Sequence, residues 1–267
     1  MDTLKFGFIG CGNMGGSLAR AVTRAVGGVN VTLSDISDVK AKVLADELNC
    51  KTDVTKEVAR FSNFIFFGVK PQVMKSCLAE IAPVLRERRD RFVLVSMAAG
   101  VTIGEIKEMI GADYPVIRIM PNTPVSVGEG MILYTADKNV FMDELSAFIE
   151  AMRFAGKLDN LDEKLINAAT AVSGCGPAFV CLFAEAMADA AVECGLPRNK
   201  AIEYAAQTLL GTAKLINKTK KHPAVLKDEV CSPAGSTVVG VHTLESGGFR
   251  GTVMSAVKSA FDKTNKL

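Results

Sequence analysis

The chain has 267 residues, of which 49% are hydrophobic and 22% are charged, and its formal net charge is +2. This composition predicts a globular protein of one or two domains, and the near-neutral charge argues against a nucleic-acid partner. The seven cysteines form no Cys-x-x-Cys pair and there are only two histidines, so we expect reduced thiols in a cytoplasmic protein and no metal site.

A glycine-rich turn follows the first predicted strand. The apolar run from Phe6 ends in Gly10-Cys11-Gly12-Asn13-Met14-Gly15, and helical spacing begins at once. In dinucleotide-binding units the first glycine permits the turn, the second admits a pyrophosphate and the third allows close helix packing. The helix N-terminus offers the phosphates unpaired N–H groups. These six residues predict a dinucleotide site, with an ordinary glycine-rich turn as the alternative.

An acidic residue follows the second predicted strand, Val29–Leu33. Asp35 lies about 20 residues beyond the glycine turn, where a ribose-binding acid is expected. Asp35 would bind a ribose 2′-hydroxyl and favour NADH. Its neighbours Ser34, Ser37 and Lys40 could instead surround a 2′-phosphate and favour NADPH. The sequence therefore predicts NADP or NAD as the cofactor and leaves the choice open.

Strands and helices alternate through the first half of the chain. Continuous apolar runs are typical of strands that are buried on both faces of a parallel sheet. The predicted elements are strands at Asn63–Val69, Phe92–Met97, Val116–Met120 and Met131–Thr135, and helices at Asp38–Leu48 and 141–154. This alternation predicts an α/β fold with a doubly wound sheet.

The predicted strands end in loops rich in small residues and proline. Besides the glycine turn, these loops are Gly68–Pro71, Ala98–Gly100 and Pro121–Pro124. Because ligands of doubly wound sheets lie outside the carboxyl ends of the strands, we predict one cofactor crevice there. Ordinary loop punctuation is the alternative for each loop. The candidate cofactor-binding residues from these loops are Val69, Lys70, Pro71, Ala98 and Asn122.

The character of the sequence changes near residue 158. Gly156–Asn160 is polar and turn-like, and we find no strand pattern beyond it. The predicted helices are Glu163–Val172, Pro177–Gly195, Arg198–Asn217, 223–229, Ala234–Ser246 and Thr252–Lys266. We therefore expect an N-terminal Rossmann-like doubly wound sheet over residues 1–158, followed by an all-α C-terminal dimerisation domain over residues 159–267. The many apolar faces of the C-terminal helices suggest an intertwined dimer, with a compact monomeric bundle as the alternative.

The most apolar predicted helix raises the question of a membrane span. Glu185, Asp189 and Glu193 interrupt it at every fourth position and place acids along one stripe. We therefore expect a buried helix with one polar edge and no membrane association. The first strand runs directly into the glycine turn, so we also expect no secretory signal.

A cluster of hydroxyl-bearing and small residues begins one of the C-terminal helices. The stretch Ser232-Pro233-Ala234-Gly235-Ser236-Thr237 combines hydroxyl groups with free backbone N–H groups at a helix start. Such an arrangement suits a small carboxylate. A well-capped helix start without a ligand is the alternative.

The chain resembles the pyrroline-5-carboxylate reductase family nearly from end to end. The matching segments are Phe8–Gly15, Val69–Pro71, Ala98–Thr102, Met120–Pro124, Ser173–Phe179, Glu185–Asp189, Leu226–Thr237 and Leu244–Arg250. The first segment is shared by many dehydrogenases, whereas the last two are specific to this family. The resemblance implies reduction of L-1-pyrroline-5-carboxylate to L-proline by NADPH or NADH, the last step of proline biosynthesis. It also implies a homodimer, often assembled into a ring of dimers.

The resemblance assigns the substrate to the hydroxyl-rich helix start. Ser232, Gly235 and Ser236 would hold the substrate carboxylate, and Thr237 would hydrogen-bond the ring nitrogen as the candidate catalytic residue. Thr237 either relays the proton of that nitrogen or only orients the ring or a water molecule. A protonated cyclic imine accepts hydride readily, so the protein mainly has to position two ligands and exclude water.

Three further residues take roles from the resemblance. Lys70 and Asn122 would lie near the nicotinamide, with a surface lysine beside a helix start as the alternative for Lys70. Glu163 would border the substrate pocket, or be a solvated acid in the first turn of a helix. The chain departs from the family at Cys175 and Ala234, where serine or glycine is common. Both changes are small in volume, so we expect an intact site.

Two rival functions remain open at the level of the sequence. A β-hydroxyacid dehydrogenase needs a lysine about a turn into the helix after its glycine-rich interdomain segment. Ser173–Ala184 contains no lysine, which argues against this function. A non-catalytic dinucleotide sensor would keep the glycine turn and would not need Ser232–Thr237.

Overall fold

An eight-stranded sheet organises the first part of the chain in the computed structural model, which describes residues 4–266. The strands are β1 (Phe6–Ile9), β2 (Val31–Ser34), β3 (Lys51–Thr52), β4 (Phe64–Phe67), β5 (Val93–Ser96), β6 (Val116–Met120), β7 (Gly130–Ala136) and β8 (Gly156–Asn160). Their spatial order is β3-β2-β1-β4-β5-β6-β7-β8. The strand order reverses beside β1, and doubly wound sheets bind their ligands at such a reversal.

Helices cover both faces of this sheet. They are α1 (Asn13–Val26), α2 (Asp38–Leu48), α3 (Thr55–Phe61), α4 (Pro71–Glu87), α5 (Ile103–Ile110), α6 (Met142–Ala151) and α7 (Ile166–Ser173). One core cluster joins α1, α2 and α6 to alternate strand residues such as Phe8 and Phe66, whose rings stack at 4.5 Å. A second cluster joins α3, α4 and α5 to the opposite residues, including Ile65 and Phe67. The predicted doubly wound sheet is therefore confirmed.

One pair of neighbouring strands in the sheet is antiparallel. β6 and β7 run in opposite directions, whereas every other pair is parallel. The connection between them holds only a short 3₁₀ turn, Thr123–Val127. A parallel crossover needs about a dozen residues or more, usually including a helix. The short connection therefore imposes the reversal, which the apolar pattern of β7 could not reveal.

The predicted turn at Gly156–Asn160 is wrong, because this segment forms the edge strand β8. It pairs in parallel with β7, from Gly130 opposite Gly156 to Tyr134 opposite Asn160. None of its residues is fully buried. A strand at the edge of a sheet is stabilised by its backbone hydrogen bonds and does not need an apolar face, so its sequence looks like a polar loop.

Five helices form the rest of the chain, and beyond β8 no strand occurs up to residue 266, as predicted. They are α8 (Gly176–Glu193), α9 (Arg198–Thr219), α10 (Pro223–Val230), α11 (Ser236–Ser246) and α12 (Phe249–Thr264). The chain divides into two compact units, which we call the sheet unit (residues up to Gly174 and from Phe261 onward) and the helical unit (Cys175–Ala260). The division falls after the predicted boundary at 158, because β8 and α7 belong to the sheet unit.

The helical unit leaves many of its apolar side chains exposed. Its core cluster consists of Ala188, Ala201 and Ala205, and α11 has no buried residue. The exposed apolar residues include Val180, Leu182, Leu210, Leu215, Val239, Leu244 and Met254. One helical stretch, Glu163–Glu193, is long and apolar enough to cross a membrane, although length and composition alone are a weak indication. Apolar exposure on this scale marks an interaction surface.

Candidate functional site

The glycine turn after β1 has the geometry that a pyrophosphate requires. Gly10 has φ of 99°, which favours glycine. A Cβ atom at Gly15 would collide with the carbonyl oxygen of Gly10, whereas one at Gly12 would meet nothing within 4 Å. Gly10 thus makes the turn, Gly15 permits the contact of helix and strand, and Gly12 leaves open space beside the backbone. The residues present therefore fit a dinucleotide phosphate group.

A cavity of about 470 Å³ opens at the carboxyl ends of β1, β2 and β4. Its volume falls in the range of small-molecule sites. The lining residues are Ile9, Gly10, Gly12, Asp35, Ile36, Thr55, Gly68, Val69, Lys70, Val73, Ser76, Cys77 and Glu80. The fold thus brings the glycine turn, the acid after β2 and the loop after β4 to one cavity.

The other predicted cofactor-binding residues of these loops lie beside this cavity. Asn13 and Met14 form the first turn of α1, and Pro71 is the first residue of α4. Cys11 lines a second cavity of about 260 Å³ between α1 and α2, together with Lys40. Cys11, Asn13 and Met14 thus stand in the glycine turn, and Pro71 stands after the loop that follows β4.

Asp35 binds the protein's own backbone with both carboxylate oxygens. The N–H group of Cys11 donates to Oδ2 at 2.7 Å, and the N–H group of Ser37 donates to Oδ1 at 2.9 Å. Asp35 thereby ties the glycine turn to the loop between β2 and α2. The sequence spacing had predicted only a ribose ligand here, because hydrogen bonds to backbone amides leave no trace in spacing.

The hydroxyl group of Ser34 is buried and already paired. Ser34 is only 4% exposed, and its Oγ lies 3.0 Å from Oγ1 of Thr55, which begins α3. Ser37 and Lys40, by contrast, lie at the start of α2, where Lys40 is exposed. Of the three residues considered for a 2′-phosphate, these two have the accessible positions.

The thiols beside the two cavities are unreactive. Burial raises the pKa of Cys11 to about 12, and the negative charge of Asp35 adds to this effect. Burial also raises the pKa of Cys77 to about 12. Since the thiolate is the reactive form, both groups stay protonated and inert at neutral pH.

Asn122 uses both ends of its carboxamide within the sheet unit. Its Nδ2 donates to the carbonyl oxygen of Ser173 at 2.9 Å, and its Oδ1 accepts the N–H group of Met131 at 2.8 Å. Asn122 therefore connects the end of β6 to β7 and to the end of α7. Ala98 is buried in the loop after β5, and Lys70 is an exposed residue immediately before α4.

Glu163 is anchored by two donors at a single oxygen. Its Oε1 accepts the N–H group of Ile103, the first residue of α5, at 2.8 Å. The same oxygen lies 3.1 Å from Nη1 of Arg118 on β6. Sequence reasoning missed Arg118, although an arginine within the apolar strand Val116–Met120 was a usable signal. A charged group in such a strand requires a partner.

The helical unit contains a tight turn before α11. The N–H group of Gly235 donates to the carbonyl oxygen of Ser232 at 3.1 Å, and a Cβ atom at Gly235 would collide with Oγ of Ser232. Ser232, Ser236 and Thr237 are exposed, and the first N–H groups of α11 have no acceptor within the helix. The turn thus presents hydroxyl and N–H donors together, an arrangement that can bind a carboxylate.

Ala234 in this turn has a backbone conformation that favours glycine. Its φ is 57°, in the left-handed region. The departure from the family noted in the sequence therefore changes backbone strain more than volume. The turn keeps its shape with alanine, at a cost in stability.

The glycine turn, the acid after β2 and the cavity over parallel strands define a dinucleotide-dependent oxidoreductase of the Rossmann class. No group of His, Cys, Asp or Glu residues suited to a metal ion occurs within residues 4–266. A family model described as pyrroline-5-carboxylate reductase dimerisation matches residues 163–267, and one described as NADP oxidoreductase, coenzyme F420-dependent, matches residues 5–100. The chain belongs to the pyrroline-5-carboxylate reductase family.

Similar proteins cover the chain from end to end. The chain is 39% identical to the pyrroline-5-carboxylate reductase of Arabidopsis thaliana, over 100% of this chain and 96% of the relative. It is also 39% identical to the pyrroline-5-carboxylate reductase of Escherichia coli (strain K12), over 98% of both chains. The crystal structure of the Plasmodium falciparum pyrroline carboxylate reductase with NADP bound matches with a TM-score of 0.87 and 34% identity, over 100% of this chain and 98% of that one.

Proposed function

We propose that this protein reduces L-1-pyrroline-5-carboxylate to L-proline with hydride from NADPH or NADH, the last step of proline biosynthesis. The observation that carries the proposal is the presence, in one chain of this family, of two turns whose geometry suits an anion. One is the glycine turn after β1, and the other is the Ser232–Thr237 turn before α11. The first suits a pyrophosphate and the second a small carboxylate.

The sheet unit would hold the cofactor. The glycine turn and the start of α1 would bind the pyrophosphate, and Asp35 would keep that turn in shape. The loops after β4 to β6 would border the nicotinamide, with Val69, Lys70, Pro71, Ala98 and Asn122 as the candidate residues. The bound nicotinamide supplies the hydride, so these residues only have to position it and exclude water.

The turn before α11 would hold the substrate. Ser232, Gly235 and Ser236 would bind the ring carboxylate, and Thr237 would hydrogen-bond the ring nitrogen. Hydride adds to the imine carbon of the protonated ring, and the electron pair of the C=N π bond moves onto nitrogen while the C–N single bond remains. The product is L-proline with the proton retained on nitrogen, so Thr237 acts by orienting the ring or by delivering that proton.

Glu163 is the candidate substrate-binding residue of the sheet unit. Its Oε1 is held by Ile103 and Arg118, whereas Oε2 accepts no hydrogen bond from residues 4–266. A carboxylate oxygen that is free of protein donors can stabilise the positive charge of a protonated imine. We therefore propose that Oε2 faces the substrate ring.

The protein would act as a cytoplasmic homodimer, and a ring of dimers is the higher assembly that we propose. The apolar faces of α8, α9 and α11 support this proposal, since a second copy of the helical unit would cover them without a membrane. The free thiols are consistent with a reducing compartment. Sedimentation of the purified protein would measure the assembly.

The decisive experiment is an assay of purified protein with pyrroline-5-carboxylate and either NADPH or NADH. Loss of nicotinamide absorbance with matching formation of proline would support the proposal, and the two rates give the cofactor preference. Cofactor binding without turnover would instead indicate a dinucleotide sensor. Turnover of β-hydroxyacids in place of the imine would indicate the rival dehydrogenase.

A further inference from the structure

Arg118 places a buried positive charge inside the parallel sheet. Its side chain is 4% exposed, in the middle of β6. It lies on the same face of the strand as Val116, which belongs to the core cluster that contains residues of α4 and α5. A buried guanidinium is costly unless it is paired. Its partner therefore indicates why the chain keeps a charge at this position.

Arg118 pairs with Glu163, the side chain that we propose to contact the substrate. Nη1 of Arg118 lies 3.1 Å from Oε1 of Glu163. The same oxygen accepts the N–H group of Ile103. Three elements thus meet at one atom: the strand β6, the start of α5 and the segment before α7.

A second carboxylate, that of Glu105 in the first turn of α5, is held separately. Thr102 and Glu105 form a capping box in which the N–H and hydroxyl groups of Thr102 both donate to Glu105. These two hydrogen bonds, aided by the charge of Arg118, lower the pKa of Glu105. Glu105 is therefore already hydrogen-bonded within the first turn of its own helix. Arg118 donates a hydrogen bond to Glu163.

The two donors at Oε1 restrict the rotation of the Glu163 carboxylate. A group held at one oxygen presents its other oxygen in a fixed direction. Arginine suits this task because its guanidinium is planar and permanently charged. The loop that precedes Ile103 also continues from the carboxyl end of β5, at the cofactor edge of the sheet.

We propose that Arg118 is a positioning residue that orients Glu163 toward the protonated ring of the substrate. This inference rests on the proposed function. Arg118 itself touches neither ligand, and it acts through the carboxylate and the start of α5. Glu163 is 29% exposed, so it is accessible to a ligand, whereas Arg118 is not.

The test is a double-mutant cycle with Arg118→Met, Glu163→Gln and the double variant. Glutamine keeps an oxygen that can accept the N–H group of Ile103 and removes the charge. We expect each single variant to lower kcat/KM for pyrroline-5-carboxylate roughly 10- to 100-fold, mainly through KM. The dissociation constant of NADPH, measured by fluorescence, should change by less than about twofold in the same variants.

The double variant separates a shared role from two independent roles. If Arg118 acts through Glu163, the double variant will match the worse single variant within about twofold. Arg118→Lys, which keeps the charge, should recover part of the loss and provides a second measurement if Arg118→Met does not fold. Multiplying effects in the double variant, or an unchanged KM in Arg118→Met, would overturn the proposal.

Arg88→Met is the matched control for loss of a buried arginine. Arg88 is also 4% exposed, and it binds Asp90 and the carbonyl oxygens of Ala59 and Ser62. These partners lie near the amino ends of β4 and β5, away from the loops that follow the strands. This variant should lose stability without a change in KM. An equal rise of KM in Arg88→Met would show that general loosening causes the effect and would overturn the assignment. Absence of turnover by the unmodified protein would instead refute the proposed function, and this inference with it.

Discussion

The sheet unit and the helical unit bury their apolar side chains in different ways. Strands β1, β4 and β5 are buried along their whole length, between two core clusters. In the helical unit, the core cluster consists of three alanines and α11 buries nothing. The sheet unit therefore closes its core within one chain. The helical unit leaves the apolar faces of its helices uncovered, and the proposed dimer would cover them.

The same contrast separates the two turns that are proposed to bind ligands. The glycine turn packs against Gly68 and donates a hydrogen bond to Asp35, and both residues belong to the sheet unit. The turn before α11 contains a backbone hydrogen bond from Gly235 to Ser232, and its hydroxyl residues are exposed. The glycine turn is thus held by contacts within the sheet unit, whereas the turn before α11 belongs to a helix that the proposed dimer would stabilise.

The largest expected effect concerns the exposed apolar face of the helical unit. Leu182 on α8 is 67% exposed, so a monomer would tolerate Leu182→Glu. In a dimer the glutamate would bury an unpaired charge at a cost of several kcal/mol. We expect dissociation of the assembly and loss of turnover, measured by sedimentation and by the reductase assay.

Val29→Glu provides the matched control in the sheet unit. Val29 is also exposed and lies before β2. It should leave assembly and turnover unchanged. A Leu182→Glu variant that keeps its assembly and activity would show that this face is not covered by another chain.

The next effect concerns the cofactor alone. A Cβ atom at Gly12 would meet nothing within 4 Å, so we expect Gly12→Val to fold. Its methyl groups would occupy the space proposed for the pyrophosphate, and we expect the affinity for NADPH to fall more than about 100-fold. Titration of nicotinamide fluorescence measures the affinity.

Gly15→Val distinguishes a blocked site from a damaged fold. Its side chain would collide with the carbonyl oxygen of Gly10, so thermal unfolding should show a clear loss of stability. Undiminished dinucleotide binding by a folded Gly12→Val protein would contradict the assignment of the glycine turn.

A smaller effect is expected from the Ser232–Thr237 turn before α11, which is proposed to hold the substrate. Thr237→Ala should lower kcat roughly 10- to 100-fold with little change in cofactor affinity, because it removes only a hydroxyl group near the imine. Thr237→Ser keeps the hydroxyl and should retain most of the activity. Steady-state kinetics with both substrates varied measures the split. Unchanged kinetics in Thr237→Ala would place the substrate elsewhere.

The smallest expected effect concerns the strained backbone of the Ser232–Thr237 turn. Ala234 has φ of 57°, where glycine is favoured over alanine by about 1 kcal/mol. We expect Ala234→Gly to raise the stability of the helical unit by up to about this amount, and Ala234→Val to lower it. Urea unfolding followed by circular dichroism measures both. Equal stability in all three proteins would mean that the turn relaxes at no cost.

Patterns of local origin were predicted well from the sequence. Val116–Met120 was predicted with its observed bounds, and so was the helix Asp38–Leu48. Other elements shift by a few residues at their ends, where backbone hydrogen bonds outweigh side-chain pattern. β3 and β8 escaped prediction because both are polar segments at sheet edges, whose partners are distant in sequence.

The candidate site shows the same limit. The three glycines were assigned their separate roles from spacing: the structure shows the turn at Gly10 and the close helix contact at Gly15, and it leaves open space beside Gly12, whose role towards a pyrophosphate stays a prediction. The partners of Asp35, Asn122 and Glu163 could not be predicted. Each of these side chains binds a backbone group that lies on another element.

The sequence by itself determined the alternation of the central buried strands with helices, the glycine turn and the hydroxyl-rich helix start, because these depend on residues close together in the chain. Only the tertiary structure decided the antiparallel β7, the edge strand β8, the boundary after Gly174 and the pairing of Arg118 with Glu163. Those features depend on which distant segments come together. That choice is made by burial and hydrogen bonding across the whole unit, which no local pattern records.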